Sequence, residues 1–542
     1  MFNPVKWSNR AVLTVVALFT FHTLCSAQNA APIPTIIEKD GRHALIVDGK
    51  PFFMFGGQAH NSSAWPAMMP AVWRAARTMH LNTLEIPLYW EQIEPEQGHF
   101  DFSTVDLLLQ QARAEKVRLV LLWFGTWKNG SSHYMPGWMK NQPEKYPNVT
   151  GNKDRHVDSP TPFSMDAMKA DMSAFAAVMG HLKKADPQRT VIMVQVENEP
   201  GTWDSMRDYS PEAEKYFKEN VPSTLMKPVV LQALHAKQNT PGSWKEVFGD
   251  RADEYFNAWY ISSYIEKVAA AGKAAYSLPL YVNVALRDPL TDPMANTYES
   301  GGATDNVIPL WKVAAPSINL LAPDIYLDGS ERDLKVLDLY NRPDNTLFVP
   351  EAALAADKAK YLYEVLARGG IGFSPFGIDD NGNDLSDDKL KEHLKPFAQE
   401  YQALLPAMSQ LAKWAFEGKL YSAVEHDDRA AQTIDLGSWQ AEITYGTGDR
   451  GPENRNAQPT GKVLFVKLDV NNFLVIGDAC HITFKPLGAK AGRAWQYYKV
   501  EEGYFDKDGF KFKRILNGDE TDFGGPRFGN KPVVLRISLV TR

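Results

Sequence analysis

The sequence predicts an α/β fold, a (β/α)8 TIM barrel with a C-terminal all-β sandwich domain, and three observations support it. Eight short apolar runs alternate with helical stretches between residues 52 and 376, which favours parallel strands closed into a barrel. The fourth and seventh runs are each followed by a glutamate, Glu199 and Glu351, at the strand ends where such barrels keep their chemistry. From about residue 413, short strands separated by turns replace this alternation, as is typical of a sandwich.

The predicted strands and helices follow one another in regular order. A hairpin over residues 36–51, with Asp48-Gly49 as its turn, leads into the first barrel strand. The eight apolar runs are residues 52–57, 83–88, 118–124, 191–196, 278–285, 318–322, 347–350 and 371–376. The helical stretches between them are residues 70–79, 104–115, 164–182, 253–271 and 356–367. Two long connections, 128–163 and 201–277, follow the third and fourth runs, and such loops are usually functional.

The fourth run changes from apolar to polar at its end. Its even-numbered residues from 192 to 196 are all apolar, which suits a strand face covered by helices. Glu197 and Glu199 have the opposite parity and are expected to face the barrel interior. Strict alternation would send the intervening Asn198 to the apolar side, so we expect the strand to kink there. We interpret Glu197, one layer deeper than Glu199, as a structural carboxylate.

A second carboxylate completes a candidate pair. The seventh run delivers Glu351 at its end, as the fourth delivers Glu199. The two are far apart in the chain and can meet only if both strands belong to one closed barrel. Two facing carboxyl groups are what glycoside hydrolysis requires, one to protonate the leaving oxygen and one to attack the anomeric carbon, and a retaining mechanism needs them about 5–5.5 Å apart.

Composition and charge argue against several other functions. The net charge is −7 and no basic run occurs, so nucleic-acid binding has no support. No His, Cys or carboxylate cluster has the spacing of a metal site, and no glycine-rich phosphate loop follows a strand. We therefore expect neither a metal nor another cofactor.

The N-terminus has the pattern of a secretory signal peptide. A positive region precedes an apolar stretch, residues 11–24, that is too short to span a membrane, and small residues follow it. We expect cleavage after Ala27, with a lipoprotein cut before Cys25 as the alternative, and an exported protein, periplasmic or secreted. Cys480 is expected to be buried and inert. The predicted divisions are a signal peptide over 1–27, the barrel with its hairpin over 28–412 and the sandwich over 413–542.

Three stretches resemble a known family. Residues 81–102 contain LNTLE, YW, EP, G and FDF in sequence; residues 195–199 read QVENE, and residues 56–60 read GGQAH. Together they are similar to the second-strand signature, the acid/base strand and the end of the first strand of the retaining β-galactosidases of glycoside hydrolase family 35, in clan A of the barrel glycosidases and of the secreted bacterial type. The resemblance covers roughly residues 36 to 380.

The resemblance implies roles for four residues. Glu199 would be the general acid/base and Glu351 the nucleophile of a double-displacement, retaining mechanism. Asn198 would hydrogen-bond the 2-hydroxyl of the sugar. Tyr326, at the end of the sixth run, would support the nucleophile or the sugar ring.

The sequence also departs from the family pattern at three places. Asn61 stands where a tyrosine usually follows the histidine, and Ala353 stands where a tyrosine follows the nucleophile by two places. The third-strand Glu-Trp with its following Gly-Gly is replaced by residues 126–130, TWKNG. These positions grip galactose in better-known members, so the departures leave the mechanism standing and bear on sugar identity and aglycone choice.

Several residues near the predicted mouth are further candidates for binding sugar. His60 could hydrogen-bond the sugar or simply pack, and Asn61 beside it is a second candidate. Trp127 and Trp203 directly follow the third and fourth strands in polar loops, so we expect stacking platforms rather than core residues.

Three functional hypotheses follow. The first is an exo-β-galactosidase acting on oligosaccharides, including galactose-decorated plant polysaccharide fragments such as xyloglucan. The second is another clan A β-glycosidase, a glucosidase or mannosidase. The third is a non-catalytic carbohydrate-binding barrel, which would have no need to keep both carboxylates. The expected partner is a glycan, with no nucleic acid and no membrane after signal cleavage.

Overall fold

The computed structural model describes residue 1 and residues 31–131, 133–448 and 454–542. The predicted signal peptide therefore lies outside the described residues, Met1 excepted. The strands are β1 (Thr35–Lys39), β2 (Arg42–Val47), β3 (Lys50–Phe52), β4 (Met54–Gln58), β5 (Thr83–Tyr89), β6 (Arg118–Lys128), β7 (Asn148–Gly151), β8 (Arg155–Pro160), β9 (Val191–Asn198), β10 (Leu280–Ala285), β11 (Leu320–Ile325), β12 (Glu351–Ala352), β13 (Gly372–Phe373), β14 (Leu420–Val424), β15 (Gln432–Asp435), β16 (Trp439–Tyr445), β17 (Lys462–Lys467), β18 (Asn472–Asp478), β19 (Cys480–Pro486), β20 (Trp495–Asp506), β21 (Gly509–Leu516), β22 (Arg527–Phe528) and β23 (Val533–Thr541). The α-helices are α1 (Met69–Met79), α2 (Trp90–Ile93), α3 (Ser103–Glu115), α4 (Gly137–Lys140), α5 (Met165–Ala185), α6 (Pro211–Phe217), α7 (Pro228–Ala233), α8 (Trp244–Phe248), α9 (Ala252–Ala275), α10 (Ile308–Ala314), α11 (Ser330–Tyr340), α12 (Ala356–Ala359), α13 (Tyr361–Ala367), α14 (Asp387–Leu404), α15 (Met408–Phe416) and α16 (Asp519–Asp522).

Eight parallel strands form the barrel, in the order β12-β11-β10-β9-β6-β5-β4-β13. The ring closes between the seventh and eighth strands, where Val349 N–H donates to Gly372 O at 3.2 Å and Ser374 N–H donates to Val349 O at 2.9 Å. Seven of the eight apolar runs overlap these strands, and the seventh, residues 347–350, directly precedes β12 and joins the ring through the Val349–Phe373 bridge. A strand covered by helices outside and packed inside is apolar on both faces. The predicted barrel is confirmed.

The strand that carries Glu199 is distorted at its end, as predicted. Glu197 and Glu199 both have positive φ, 63° and 43°, a region that side chains other than glycine seldom adopt. The β6–β9 pairing also shifts register between Trp123 and Lys128. Such strain persists where the surrounding structure enforces it, and it commonly marks functional sites.

The entry hairpin and the main barrel helices also match the sequence. Val47 pairs with Lys50 across the Asp48-Gly49 turn, and both turn residues have positive φ, 52° and 75°, as a tight hairpin turn requires. The predicted helices become α1, α3, α5 and α9, whereas residues 356–367 divide into α12 and α13 at Lys360. Helices α10, α11, α14 and α15 were not predicted.

The C-terminal region consists of antiparallel strands in two sheets. One sheet has the order β14-β17-β18-β23-β20-β21 and the other has the order β15-β16-β19-β22. The residues between the sheets form a hydrophobic core of their own, and Cys480 is fully buried in it. Helix α15 crosses residue 413, and the first strand of this region begins at Leu420. In the described part of the chain, no helix is long and apolar enough to span a membrane.

A buried ion cluster joins the barrel to the β region. Lys462 Nζ on β17 lies 2.8 Å from Asp478 Oδ2 on β18 and 3.0 Å from Glu400 Oε1 on α14. Tyr363 donates a hydrogen bond of 2.7 Å to Glu400 as well. Burial raises the pKa of Glu400 to about 8, although Lys462 opposes that shift. The lysine therefore compensates two acids that would otherwise be buried without a counterion.

We expect Lys462→Met to lower the free energy of unfolding by about 3 kcal/mol or more, because it strands both acids. Urea unfolding followed by circular dichroism measures this. The matched control is Lys419→Met, which removes a half-exposed ion pair with Glu417 and should change stability by less than about 0.5 kcal/mol. Equal losses in the two variants would contradict this role for Lys462.

Candidate active site

Glu351 begins the seventh barrel strand and is held by two donors. Tyr326 donates its hydroxyl to Oε1 at 2.7 Å, and Gln58 donates its side-chain amide to Oε2 at 3.0 Å. Gln58 ends β4 and Tyr326 follows β11, so the donors come from opposite flanks of the strand. Both oxygens are thus oriented, and Glu351 is buried, with 7% of the residue exposed.

The environment of Glu351 favours its protonated form. Burial, then the charge of Glu199, raises the pKa of Glu351 to about 7, against the opposing effects of Lys128, Tyr326 and Gln58. Asp324 pairs in register with Glu351 on the next strand and hydrogen-bonds the side chain of Glu199, so the two glutamates have a neighbour in common. The structure therefore brings the two predicted glutamates together at the same end of the barrel.

Glu199 is positioned by a polar residue of the neighbouring strand. Asn283 on β10 accepts the Glu199 backbone N–H at 2.9 Å and donates its amide to Asp324 Oδ2 at 2.8 Å. Asp324 on β11 pairs in register with Glu351 and hydrogen-bonds the side chain of Glu199. Burial, with the charges of Glu351 and Glu199, raises the pKa of Asp324 well above its usual range. Burial and the two neighbouring charges therefore favour the protonated form of Asp324 beside Glu199.

Glu197 lies below this layer and pairs with Asp171 of α5. Its Oε2 accepts the Trp127 backbone N–H at 2.7 Å, and its carboxyl group hydrogen-bonds that of Asp171. Asp171 also accepts from Trp123 Nε1 at 2.9 Å and from Thr126 Oγ1 at 2.6 Å. Burial and the charge of Asp171 raise the pKa of Glu197 well above its usual range. Burial and the charge of Asp171 therefore favour the protonated form of Glu197 in this acid pair, which agrees with a structural role.

His60 and Asn61 lie at the end of the first barrel strand. Asp379 accepts the His60 backbone N–H at 2.8 Å and lies 3.1 Å from His60 Nδ1. Ser63 donates to the other Asp379 oxygen at 2.7 Å. This arrangement holds the ring by Nδ1 and leaves Nε2 available. Asn61 Oδ1 is buried and has no partner in the described chain.

The remaining predicted residues differ in exposure. Both polar side-chain atoms of Asn198 are buried and have no partner among the described residues, so they can meet a sugar hydroxyl. Trp203 is 43% exposed, and its ring lies beside Glu299 next to Gly130. Trp127 is wholly buried and packs edge-to-face against Tyr264 at 4.8 Å. A stacking platform needs an exposed ring face, so that expectation was wrong for Trp127, which packs under the site.

The structure adds five residues to the site: Gln58, Lys128, Asn283, Glu299 and Asp324. Asn283 and Asp324 are polar residues inside apolar strands, a signal that inspection of those runs could have found. Glu299 comes from a loop far along the chain, and its charge interacts with that of Glu199. No local pattern marks it, because only the folded chain brings it to the barrel mouth. Among the described residues, no group of His, Cys, Asp or Glu could hold a metal ion.

A closed barrel of eight parallel strands that carries two glutamates at one end is an arrangement that barrel glycosidases use. The comparison with protein-family models gives a more specific result than the fold does. Residues 44–256 match the model of glycosyl hydrolases family 35, and residues 397–525 match a domain of unknown function, DUF5597. The matched range agrees with the resemblance found in the sequence, and it includes Glu199 but ends before Glu351.

Curated relatives are β-galactosidases at low identity. "Beta-galactosidase 14" of Arabidopsis thaliana is 23% identical over 221 residues, which are 40% of this chain and 23% of that protein. The β-galactosidase of Xanthomonas manihotis is 29% identical over 166 residues, 29% of this chain and 25% of that protein. The matches thus span about a quarter of these relatives' lengths. A solved β-galactosidase from Rahnella sp. R3 superposes with a TM-score of 0.48 at 14% identity, covering 67% of this chain and 58% of that one.

We expect Glu197→Gln to fold and to keep its catalytic rate within a few fold of the original. Glutamine can donate to Asp171 and accept from Trp127, as the protonated glutamate does. The raised pKa of Glu197 makes its contribution to stability greatest at low pH, and that contribution is lost as pH rises. The melting temperature of Glu197→Gln, which cannot titrate there, should therefore gain on the original as pH rises. A thousandfold loss of kcat/KM in a folded variant would instead make Glu197 catalytic.

Proposed function

We propose that this protein is a retaining exo-β-galactosidase that removes terminal β-D-galactosyl residues from oligosaccharides. The observation that carries the proposal is the arrangement of Glu351, oriented through both oxygens by Tyr326 and Gln58, beside Glu199. A nucleophile must present one oxygen in a fixed direction to the anomeric carbon, and this arrangement does so. The family 35 match and the β-galactosidase relatives support the choice of sugar.

The mechanism has two displacements. In the first, a Glu351 oxygen attacks the anomeric carbon while Glu199 gives its proton to the leaving oxygen, which breaks the glycosidic bond. In the second, Glu199 takes a proton from water, and the water oxygen displaces Glu351 from the anomeric carbon. In this proposal Asn198, whose buried side-chain amide has no partner among the described residues, binds the 2-hydroxyl. The inversion at each displacement restores the original configuration.

The surrounding loops bear on the leaving group. In this proposal the connections after β6 and β9 form the rim of the pocket, and Trp203, exposed beside Glu299, supplies an aromatic ring there. An exo-acting enzyme needs a closed pocket for one sugar and an open side for the rest of the chain. A leaving sugar stacked on Trp203 suits an extended acceptor, such as a galactose-decorated fragment of xyloglucan. The proposal includes export of the mature protein after cleavage of residues 1–27.

A second candidate is another clan A β-glycosidase, a glucosidase or mannosidase. The observation that favours it is the set of departures from the family's galactose-gripping residues, at Asn61, Thr126 and Ala353. Hydrolysis of nitrophenyl β-galactoside, β-glucoside and β-mannoside by the purified protein separates the two. Preference for the galactoside by tenfold or more in kcat/KM supports the proposal, and failure on all three sugars argues for a non-catalytic carbohydrate-binding barrel.

We expect Glu351→Ala to abolish turnover without unfolding, because it removes the attacking oxygen. Adding azide should then yield the α-galactosyl azide, since the small anion enters where the nucleophile stood. Glu199→Ala with azide should yield the β-galactosyl azide. Proton NMR of the products reads both configurations, and the opposite pairing would mean that the two roles are exchanged.

Trp203→Ala should lower kcat/KM for a galactose-bearing oligosaccharide by about fivefold, or about 1 kcal/mol, because an aromatic platform is lost. A small nitrophenyl galactoside, which barely reaches the platform, should show little change. Tyr498→Ala, which removes an exposed aromatic side chain of the C-terminal region, is the matched control. Equal losses on both substrates would show that Trp203 supports the scaffold and not the leaving sugar.

A further inference from the structure

The most exposed tryptophans both lie at the catalytic end of the barrel. Among the residues that the structure describes, Trp65 and Trp203 have the largest exposed fractions of any tryptophan, 44% and 43%. Trp65 follows β4 and Trp203 follows β9, so each lies on a loop beyond the carboxyl end of its strand. Barrel enzymes bind their substrates at this end. Both rings are therefore available to a substrate.

Trp65 lies on a column of stacked aromatic rings. Its ring centre is 5.8 Å from that of Tyr89, with 25° between the ring planes, and Tyr89 in turn stacks on Tyr134 at 5.3 Å and 14°. Tyr89 is the last residue of β5 and is buried, and its hydroxyl accepts the Ala64 N–H at 3.0 Å. The column therefore supports one face of the indole on a barrel strand and leaves much of the ring exposed.

The loop that carries Trp65 begins at the nucleophile. Gln58, the last residue of β4, donates its side-chain amide to Glu351 at 3.0 Å. Ser63, in the middle of the loop, donates to Asp379 at 2.7 Å. These contacts fix the start and the middle of the loop, and the stacked column fixes its end. Trp65 is thus ordered before a ligand arrives, which reduces the entropy lost on binding.

The two exposed indoles are supported by the same short segment of the loop after β6. The ring of Trp203 lies against Gly130, where an added Cβ atom would come within 2.8 Å of it. Tyr134 is the base of the column beneath Trp65. Gly130 and Tyr134 are four residues apart, and this length of chain spans at most about 14 Å. The two indoles therefore belong to one part of the barrel end.

We propose that Trp65 is a stacking platform for a second sugar residue of the leaving group, beyond the residue that lies on Trp203. The substrate class is then an oligosaccharide with a terminal galactosyl residue and at least two further sugar residues. The inference rests on the proposed function and deepens it, because it names the length of leaving group that the site binds. A pyranose ring presents one apolar C–H face to one aromatic ring, so occupation of both indoles requires two sugar residues.

The order of the two sugars follows from the supports of the two indoles. Gly130, which contacts the Trp203 ring, donates its N–H to the Glu199 carbonyl at 3.1 Å. Trp203 therefore lies beside the residue that protonates the leaving oxygen in the proposed mechanism. Trp65 lies at the outer end of the column that starts at Tyr134. The first leaving sugar is therefore assigned to Trp203 and the second to Trp65.

A different role for Trp65 is to form a wall of the pocket for the galactosyl residue. Its exposure argues against that role, because a pocket that accepts one terminal sugar encloses it, whereas nearly half of Trp65 is open to solvent. The two roles also predict different measurements. A pocket wall acts on every galactoside, and a platform for the second leaving sugar acts only on substrates long enough to reach it.

The test compares three substrates that share a terminal β-galactosyl residue. They are nitrophenyl β-galactoside, a disaccharide with one leaving sugar, and a trisaccharide with the same first linkage and two leaving sugars. Trp65→Ala should lower kcat/KM for the trisaccharide by about fivefold, mainly through a higher KM, because a contact made equally in the ground state and the transition state is lost. The values for the other two substrates should change by less than about twofold.

Two further variants separate the aromatic ring from packing. Trp65→Phe keeps a ring over Tyr89 and should keep most of the activity on the trisaccharide. Trp65→Leu keeps apolar bulk without an aromatic face and should lose that activity as Trp65→Ala does. Tyr504→Ala, which removes a side chain that is 56% exposed on β20, is the matched control and should leave all three substrates unchanged. The melting temperature of each variant shows whether it folds.

The double variant Trp65→Ala/Trp203→Ala tests whether the two indoles bind different sugars. Losses at independent sites add as free energies, so the two fold-losses on the trisaccharide should multiply. Trp203→Ala alone should already lower kcat/KM for the disaccharide. A double variant that is no worse than Trp203→Ala alone would mean that both rings serve one sugar, which contradicts the role assigned to Trp65.

The outcomes distinguish this inference from the proposed function. An original protein that hydrolyses nitrophenyl β-galactoside, with all three kcat/KM values unchanged in Trp65→Ala and Trp65→Leu, overturns the role of Trp65 and leaves the proposed function standing. The same conclusion follows if the original protein hydrolyses the trisaccharide no better than the disaccharide. An equal loss on all three substrates also overturns this role, in favour of a pocket wall if the melting temperature is unchanged and of a scaffold role if it falls. A protein that hydrolyses no nitrophenyl glycoside refutes the proposed function, and this inference with it.

Discussion

One side-chain amide connects the two halves of the candidate site. Asn283, on the fifth barrel strand, accepts the backbone N–H of Glu199 on one side and donates to Asp324 on the other. Asp324 lies in register with Glu351 on the next strand. The spacing of the acid/base and the nucleophile therefore depends on a chain of contacts across four adjacent strands. Closure of the ring keeps those strands at fixed separations, so the positions of both glutamates depend on the whole barrel.

Several acidic side chains are buried together in the site. Burying them is energetically unfavourable unless other interactions compensate for it. Glu85, Glu197, Glu299, Asp324 and Glu351 are all buried, and burial is the largest cause of the raised pKa of each. Different interactions reduce the unfavourable free energy of burying these acids. Glu197 hydrogen-bonds Asp171, Glu351 accepts two hydrogen bonds, and Lys128 places one cation among the outer acids. One pocket can carry out both acid and nucleophilic chemistry only if one carboxyl group is protonated while another is ionised.

Much of the architecture could be predicted because it depends on local pattern. The eight runs matched the eight strands, since strands buried on both faces must be apolar over their length. The kink after Glu197 followed from parity alone, because Asn198 could not face the covering helices without strain. The short helices after β10 and β11 escaped prediction, as did α14 and α15. The break at Lys360 escaped prediction as well. The side chain of Lys360 donates to the Glu425 and Pro459 carbonyls, a contact with the C-terminal region that no local pattern encodes.

By itself, the sequence determined the class of fold, the end of the barrel that carries the chemistry, and the two glutamates of the candidate pair, because each depends on residues that are neighbours in the chain. Tertiary structure alone decided which groups surround that pair. It buried Trp127 under the site and exposed Trp203 at the rim, although both follow strands in similar polar loops. It also brought Glu299, Asn283 and Lys128 to Glu199 from separate segments. The reason is physical: burial and Coulomb interactions depend on distance in space, and a closed barrel makes spatial neighbours of residues that lie far apart in sequence.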